Sequence, residues 1–407
     1  MRTSLSTPVH VKPLNTRAAG HDYSRFITRW VTALGIIFFI ALMLIRPACA
    51  DQKEALHLAH HDIDVKIGQM LMIGFRGLAV DAHSSIIEDI RRRHIGGVIL
   101  FDYDVPLHSP VRNITSPVQV TQLTRTLQDA ASMPLFIAID QEGGRVSRLK
   151  EKFGFPATLS AGRLGILDNV VATRQAAETT AVILADAGIN INFAPVVDLN
   201  TKPDNPVIGK LERSFSADPT VVIRHAAAMI DIFHEYRILS AVKHFPGHGS
   251  STADSHYKFT DVTDTWQQKE LSPFQALIER DMCDMVMTAH IFNADLDPLW
   301  PATLSHKIIT GILRQQLHYE GVIISDDMQM KAISDYVGFE KAVEKAILAG
   351  VDILLFSNNS SYEEDIASHA IVVIKQLLTE GIISPERIDE SYRRIMTLKK
   401  KMTAPAG

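Results

Sequence analysis

The chain has 407 residues, of which 46% are apolar and 21% charged, an ordinary globular balance with length for one large domain or two smaller ones. Its formal charge is only −5 and no basic patch stands out, which argues against a nucleic-acid partner.

The first fifty residues differ from the rest. They carry six Lys and Arg (Arg2, Lys12, Arg17, Arg25, Arg29 and Arg46) against one acid, Asp22. An apolar run over 30–45 follows, then Ala48-Cys49-Ala50 and Asp51. Basic residues, a short apolar run and a small-x-small site form the pattern of a secretory signal peptide. The reading is therefore residues 1–50 as a leader cleaved after Ala50, residues 51–407 as the working domain, and a periplasmic or secreted location. A retained inner-membrane anchor over 30–45 is the alternative, although this run is slightly short for a comfortable span. A lipoprotein reading of Cys49 is weakened by Arg46 and Pro47, where an aliphatic and a small residue are wanted. Without the leader the one cysteine is Cys283, so no internal disulfide is expected. Cys283 stands in an apolar run and reads as a buried thiol.

From about residue 60 one rhythm repeats. Short Val- and Ile-rich runs over 68–74, 96–101, 134–140, 189–198, 239–244, 284–290, 321–326 and 351–357 alternate with helix-period stretches. Continuous apolar strands separated by helices indicate a parallel sheet covered on both faces. Eight such units in about 340 residues predict a single (β/α)8 barrel of the TIM type, slightly enlarged by loops. A doubly wound open sheet is the alternative, but no Gly-rich phosphate fingerprint follows the first run. A helix over 218–236 would place Val222, Ala226, Met229, Ile230 and Phe233 on one face. Ser384 reads as an N-cap with Pro385 at the first helical position, opening a helix that runs into Lys399-Lys400-Lys401, cations suited to its negative end.

Several runs end in polar residues: Asp140, Asp198, Lys243-His244, His290 and Ser325-Asp326-Asp327. In a barrel these ends share one mouth, where barrel enzymes keep their chemistry. A single Asp after a strand is usually a helix cap, but five such ends are more than capping requires. Asp140-Gln-Glu-Gly-Gly-Arg-Val-Ser-Arg148 follows the third run. Its two glycines allow a tight turn with unusual backbone angles, holding an acid and two arginines near the mouth. Lys243-His-Phe-Pro-Gly-His-Gly249 follows the fifth run, and Asp254-Ser-His256 comes next. A zinc reading of these histidines is disfavoured, because Pro246-Gly247 breaks any helix that would bring His244 and His248 onto one face. In an extended loop Asp254 and His256 point the same way, so the carboxylate could orient the ring. On spacing alone, a surface loop with an unconnected Asp and His is the better reading.

Taken together, these motifs, with Glu212-Arg-Ser-Phe215 and Ser325-Asp-Asp-Met328, resemble glycoside hydrolase family 3, in its β-N-acetylglucosaminidase branch. The resemblance covers roughly residues 60–400. It implies a barrel that hydrolyses terminal non-reducing β-linked N-acetylhexosamine with retention, through a covalent glycosyl-enzyme. By this resemblance Asp326 matches the nucleophile, and His256 the general acid/base with Asp254 as its partner. Asp140, Arg148, Arg213, Lys243 and His244 match residues that bind the sugar in the −1 subsite. A histidine acid/base can give and take a proton near neutral pH. The implied partner is an N-acetylglucosamine-containing oligosaccharide or cell-wall fragment, with membrane contact only through a possible anchor. No metal or organic cofactor is implied. The sequence ends soon after the eighth unit, so the second domain that supplies a glutamate acid/base in many β-glucosidases of the family is not expected. The competing readings are a phosphorylase or β-glucosidase of the same family, and a non-catalytic glycan-binding barrel.

Overall fold

The computed structural model describes residues 62–255, 259–359 and 361–403. The predicted leader and its apolar run lie outside the described residues, and so does His256. Among the described residues no helix is long and apolar enough to cross a membrane.

Each predicted apolar run contains a strand. These are β1 (Leu71–Gly74), β2 (Gly97–Leu100), β3 (Phe136–Ile139), β4 (Ile191–Asn192), β5 (Leu239–Phe245), β6 (Met285–Thr288), β7 (Val322–Ile324) and β8 (Leu354–Phe356). All eight lie in one parallel sheet, in which β8 pairs with β1 and the order then runs from β1 through to β7. A parallel bridge between Ile324 and Ile353 joins β7 to β8 and closes the barrel. The runs read as continuous rather than alternating because both faces of these strands are covered: every residue of β1, β2, β3 and β5 is buried. The predicted (β/α)8 barrel is thus the observed fold.

The helices form for local reasons as well as for packing. Asp218 caps helix Pro219–Glu235 by accepting from the Thr220 amide, and Pro219 occupies its first turn. Val222, Ala226, Met229, Ile230 and Phe233 are buried, as their spacing predicts. Burying each larger member of that stripe contributes roughly 1.5–3 kcal/mol. The segment Lys307–Gln316 between β6 and β7 is a π-helix, which no 3.6-residue pattern could anticipate. Cys283 is a buried free thiol whose pKa is pushed up by burial, in line with the sequence.

The last helix, Pro385–Thr403, corrects one expectation. Ser384 caps it, accepting from the Arg387 amide at 3.3 Å, and Lys400 and Lys401 lie in its last turn as expected. Lys399 does not sit at a solvated helix end. It is buried, donating to Gln69 Oε1 at 2.6 Å and to the Gly96 carbonyl at 2.8 Å. Burial pushes its ammonium down to about 7. Gln69 and Gly96 precede β1 and β2, so Lys399 braces the N-terminal face of the barrel, the face that serves stability.

Candidate active site

At the opposite, C-terminal face lies a cavity of about 810 Å³. Asp140, Arg148, Arg213, Lys243, His244, Asp254 and Asp326 all line it. Seven of the eight residues singled out from sequence are therefore brought together, from strand β5 and the loops after β3, β4, β5 and β7. The eighth, His256, falls outside the described residues, so its relation to Asp254 is not described either.

The turn after β3 depends on its glycines. Gly143 and Gly144 have φ of +95° and +57°, and a Cβ on Gly143 would stand 2.1 Å from the Leu159 carbonyl oxygen. Gln141 fixes the return of the chain: its Oε1 accepts from the amides of Arg148 and Leu149 at 2.9 and 3.0 Å. This aims Arg148 back at Asp140, 3.3 Å away. Of the two arginines expected near the mouth only Arg148 arrives, because Arg145 stands exposed at the tip of the turn.

β5 supplies two consecutive side chains, Lys243 and His244. In a regular strand neighbours point to opposite faces. Here the pairing register with β6 shifts between Val242 and Phe245, and both residues line the cavity. Lys243 Nζ lies 2.7 Å from Asp140 Oδ1 and 2.7 Å from Glu142 Oε1. Arg213 donates to Glu142 from Nε and Nη2, at 2.8 Å each, and its Nη2 lies 3.2 Å from His244 Nε2. If Arg213 donates there, His244 Nε2 is the acceptor and Nδ1 carries the proton toward Asp198 Oδ2 at 2.6 Å. Lys243, Arg148 and Arg213 are thus tied to Asp140, Glu142 and, through His244, Asp198 in one connected network.

Charge sets the ionisation of this network. Burial opposes ionised Glu142, but Arg213 and Lys243 outweigh it and hold the carboxyl down at about 2. Asp140 is likewise held below its usual range, burial being overcome by Lys243 and Arg148. Asp198 follows the same pattern through His244. His248 goes the other way: burial, then His244, push it down to about 4, so it is neutral at pH 7. Its Nδ1 lies 2.6 Å from Ser251 Oγ and its Nε2 lies 3.2 Å from Ser255 Oγ. The ring nitrogens of His244 and His248 are therefore engaged with protein groups.

Asp326 and Asp327 have different surroundings. Asp327 is buried, and its carboxylate accepts from the amides of Gln329 and Ser357 at 3.1 and 3.0 Å and from the Ser357 hydroxyl. Burial raises its pKa. Asp326 is half-buried at the cavity wall, and its Oδ1 accepts from the Asp327 amide at 2.8 Å. Both aspartates border the cavity, but the chain after β7 ties the Asp327 carboxylate into the protein and leaves Asp326 the more exposed of the two.

Two polar strand ends do not face the cavity as expected. Asp198 is fully buried behind His244 and also accepts from the His248 amide at 2.7 Å. His290 is buried, bonded through Nε2 to the Asp327 carbonyl at 2.9 Å and through Nδ1 to Thr303 at 2.8 Å. Both support neighbours that line the site. Sequence reasoning gave Glu142 no binding or positioning role, although it is the acid on which Arg213 and Lys243 converge. Its signal was present: Glu142 is two residues from Asp140, and in extended chain such residues share a side.

Comparison with known proteins adds to this geometry. Residues 62–398 match the model of the glycosyl hydrolase family 3 N-terminal domain. Beta-hexosaminidase A of Pseudoalteromonas piscicida is 35% identical over 373 residues, covering 83% of this chain and 60% of that protein. The beta-hexosaminidase of Tolumonas auensis is 37% identical over 295 residues, covering 71% and 83%. Among solved structures, a family 3 beta-N-acetylglucosaminidase from a Paenibacillus species superposes with a TM-score of 0.77 at 35% identity, covering 85% of this chain and 64% of that one. A beta-N-acetylhexosaminidase from Beutenbergia cavernae superposes with a TM-score of 0.74 at 27% identity, covering 84% and 99%. The chain therefore spans less than two thirds of the Pseudoalteromonas and Paenibacillus proteins and nearly all of the Beutenbergia one.

Proposed function

The chain belongs to glycosyl hydrolase family 3, and from that premise we propose that it is a retaining exo-β-N-acetylhexosaminidase acting on terminal β-linked N-acetylglucosamine. The observation that carries the reading is a single cavity whose lining combines a half-buried carboxylate, Asp326, with the paired acids and cations Asp140, Glu142, Lys243, Arg148 and Arg213. Asp326 attacks the anomeric carbon, the glycosidic C–O bond breaks, and the leaving oxygen takes a proton from His256. Water then attacks the glycosyl-enzyme, His256 takes its proton, and Asp326 is released. Asp254 orients the imidazole and stabilises its charged form. Asp140, paired with Lys243 and Arg148, accepts from sugar hydroxyls. Arg148, Arg213 and Lys243 present N–H donors to hydroxyl and acetamido oxygens, and Glu142 and Asp198 hold Arg213 and His244 in place. The names of the hexosaminidase relatives support N-acetylhexosamine as the substrate class.

A panel of aryl β-glycosides tests this. The N-acetylglucosaminide is expected to exceed the glucoside by roughly 100-fold or more in kcat/KM, since groups placed for the acetamido oxygen would stand unpaired beside a plain hydroxyl. Equal rates, or a preference for the glucoside, would contradict the reading. Free sugar is expected as the product in phosphate and in non-nucleophilic buffer alike, whereas a glycosyl phosphate would mark a phosphorylase.

The basic leader, the apolar run over 30–45 and Ala48-Cys49-Ala50 support a location outside the cytoplasm. N-terminal sequencing of the periplasmic or secreted protein is expected to begin at Asp51. Full-length chain in the cytosol would refute export, and full-length chain in the membrane would make residues 30–45 an anchor.

A further inference from the structure

The cavity extends well past the residues matched to the terminal sugar. From the Asp140–Lys243–Arg213 network it continues along Asp102, Tyr103 and Val105 after β2, Gln329 after β7, and Asn359, Ser361 and Glu363 after β8. The whole space is about 810 Å³, several times the volume of one pyranose.

This outer wall is built. Residues after β2 fold back in a tight turn bridged between Asp104 and Ser109. Asp104 is buried and accepts from Arg76 Nε at 2.6 Å, Arg76 Nη2 at 3.0 Å and the Leu107 amide at 3.0 Å. Arg112, also buried, donates to the Phe75 carbonyl at 2.9 Å, the Asn358 carbonyl at 3.0 Å and Asn359 Oδ1 at 2.7 Å. Asn359 Oδ1 accepts in addition from the Val105 amide at 3.2 Å. Gln329 Oε1 accepts from the Asn358 amide at 2.7 Å, and its Nε2 donates to Ser361 Oγ at 3.2 Å. The loops after β1, β2, β7 and β8 are thereby joined, and the wall is organised before any ligand arrives. Upon it stand Tyr103 and Val105, 39% and 46% exposed, apolar surface that the fold itself leaves uncovered.

We infer that this wall is the aglycone subsite and that it accepts a neutral pyranose, the next residue of a β-linked oligosaccharide, against the ring of Tyr103. The inference rests on the proposed glycosidase reading and names what lies on the other side of the scissile bond. The wall has what a sugar needs on both counts. Tyr103 and Val105 offer apolar surface for the C–H face of a ring, while Asp102, Gln329, Asn359 and Ser361 offer hydrogen-bonding groups for its hydroxyls. Beyond the terminal-sugar network the lining carries Asp102, Asp335 and Glu363 against one cation, Lys331. Lys150 pairs with Asp102 at 2.5 Å and His369 with Glu363 at 2.9 Å, which softens the imbalance without reversing it. A sugar acid or sugar phosphate is therefore disfavoured at this position.

The test uses the full-length chain, Tyr103→Ala and Tyr103→Phe. The substrates are N,N′-diacetylchitobiose, the methyl β-glycoside of N-acetylglucosamine, and a disaccharide whose reducing-end sugar carries a carboxylate. Tyr103→Ala is expected to lower kcat/KM for the neutral disaccharide about tenfold and to leave the methyl glycoside within about twofold, because the methyl group does not reach the ring. Tyr103→Phe keeps the stacking surface and is expected to retain wild-type rates on both. The carboxylated disaccharide is expected to be the poorer disaccharide for the wild type. An equal fall on the disaccharide and the methyl glycoside, or no fall on either, would overturn the subsite; a wild-type preference for the carboxylated sugar would overturn its neutral character. Wild-type protein inert toward every N-acetylglucosaminide would instead defeat the glycosidase reading beneath it.

Discussion

Asp326→Ala is expected to lower turnover of aryl N-acetylglucosaminides by about 10⁴-fold or more while leaving the fold in place, since the variant removes the atom proposed to bond to the anomeric carbon. The structural reason for an intact fold is the half-buried position of Asp326 at the cavity wall, where its Oδ1 accepts from the neighbouring Asp327 amide at 2.8 Å. Unfolding stability should change by less than about 1 kcal/mol, in the range of a partly exposed substitution. Asp327→Ala should behave in the opposite sense. It strips acceptors from the Gln329 and Ser357 amides and the Ser357 hydroxyl inside the protein, so its main effect should be on stability, at about 1–3 kcal/mol. Kinetics and denaturant titration of both variants separate the roles. Near-normal turnover by Asp326→Ala, or an active-site loss confined to Asp327→Ala, would exchange the assignments.

His256→Ala is expected to separate substrates by leaving group. Proton donation matters most when the departing oxygen is a poor leaving group. Hydrolysis of natural disaccharides should therefore fall by about 10²–10⁴-fold, the range of a lost general acid, while activated aryl glycosides still form the glycosyl-enzyme readily. On those activated substrates a burst should appear, because the water that must break the intermediate has lost its base. Azide should relieve the block, being a nucleophile that needs no base. Asp254→Asn should give a milder form with a displaced pH profile, as the imidazole would lose the carboxylate proposed to favour its charged form. Equal losses on good and poor leaving groups, with neither burst nor rescue, would make His256 a binding or structural residue. The acid/base would then be sought elsewhere in the cavity. Glu142 is ill suited to that role, because Arg213 and Lys243 hold its carboxyl at about 2 and it has no proton to give near pH 7.

The barrel was legible because its strands are buried on both faces. Runs such as Leu-Met-Ile-Gly in β1 and Gly-Val-Ile-Leu in β2 carry no alternation, and that pattern signals a covered parallel sheet. The position of the site was legible too, since polar residues closing successive apolar runs must meet at one mouth. Which of those residues face the cavity was not legible. Asp198 and His290 end their runs as Asp140 and Asp326 do, yet both turn into the protein to hold His244 and the Asp327 carbonyl. Direction at a strand end depends on local register, and the shift in β5 that sends both Lys243 and His244 into the cavity leaves no mark in composition. Lys399 shows the same limit at the other face. Three consecutive lysines read as cations at the negative end of a helix, which holds for Lys400 and Lys401, and only the packing of the last helix beneath β1 and β2 reveals that the first of them is buried. The outer wall was missed for a different reason. Asp104 and Arg112 stand far in the chain from Asn359, and their shared network exists only once the barrel has closed.

The most direct measurement on the proposed chemistry is mass spectrometry of the chain after reaction with a 5-fluoro N-acetylglucosaminyl donor. Such a donor keeps the acetamido group and slows breakdown of the intermediate more than its formation. Peptide mapping is expected to find one sugar per chain, attached through an ester at Asp326, with the label absent from Asp326→Ala. A label on Asp327 or on any other side chain, or steady turnover of the donor with no covalent species formed, would contradict the retaining mechanism through Asp326.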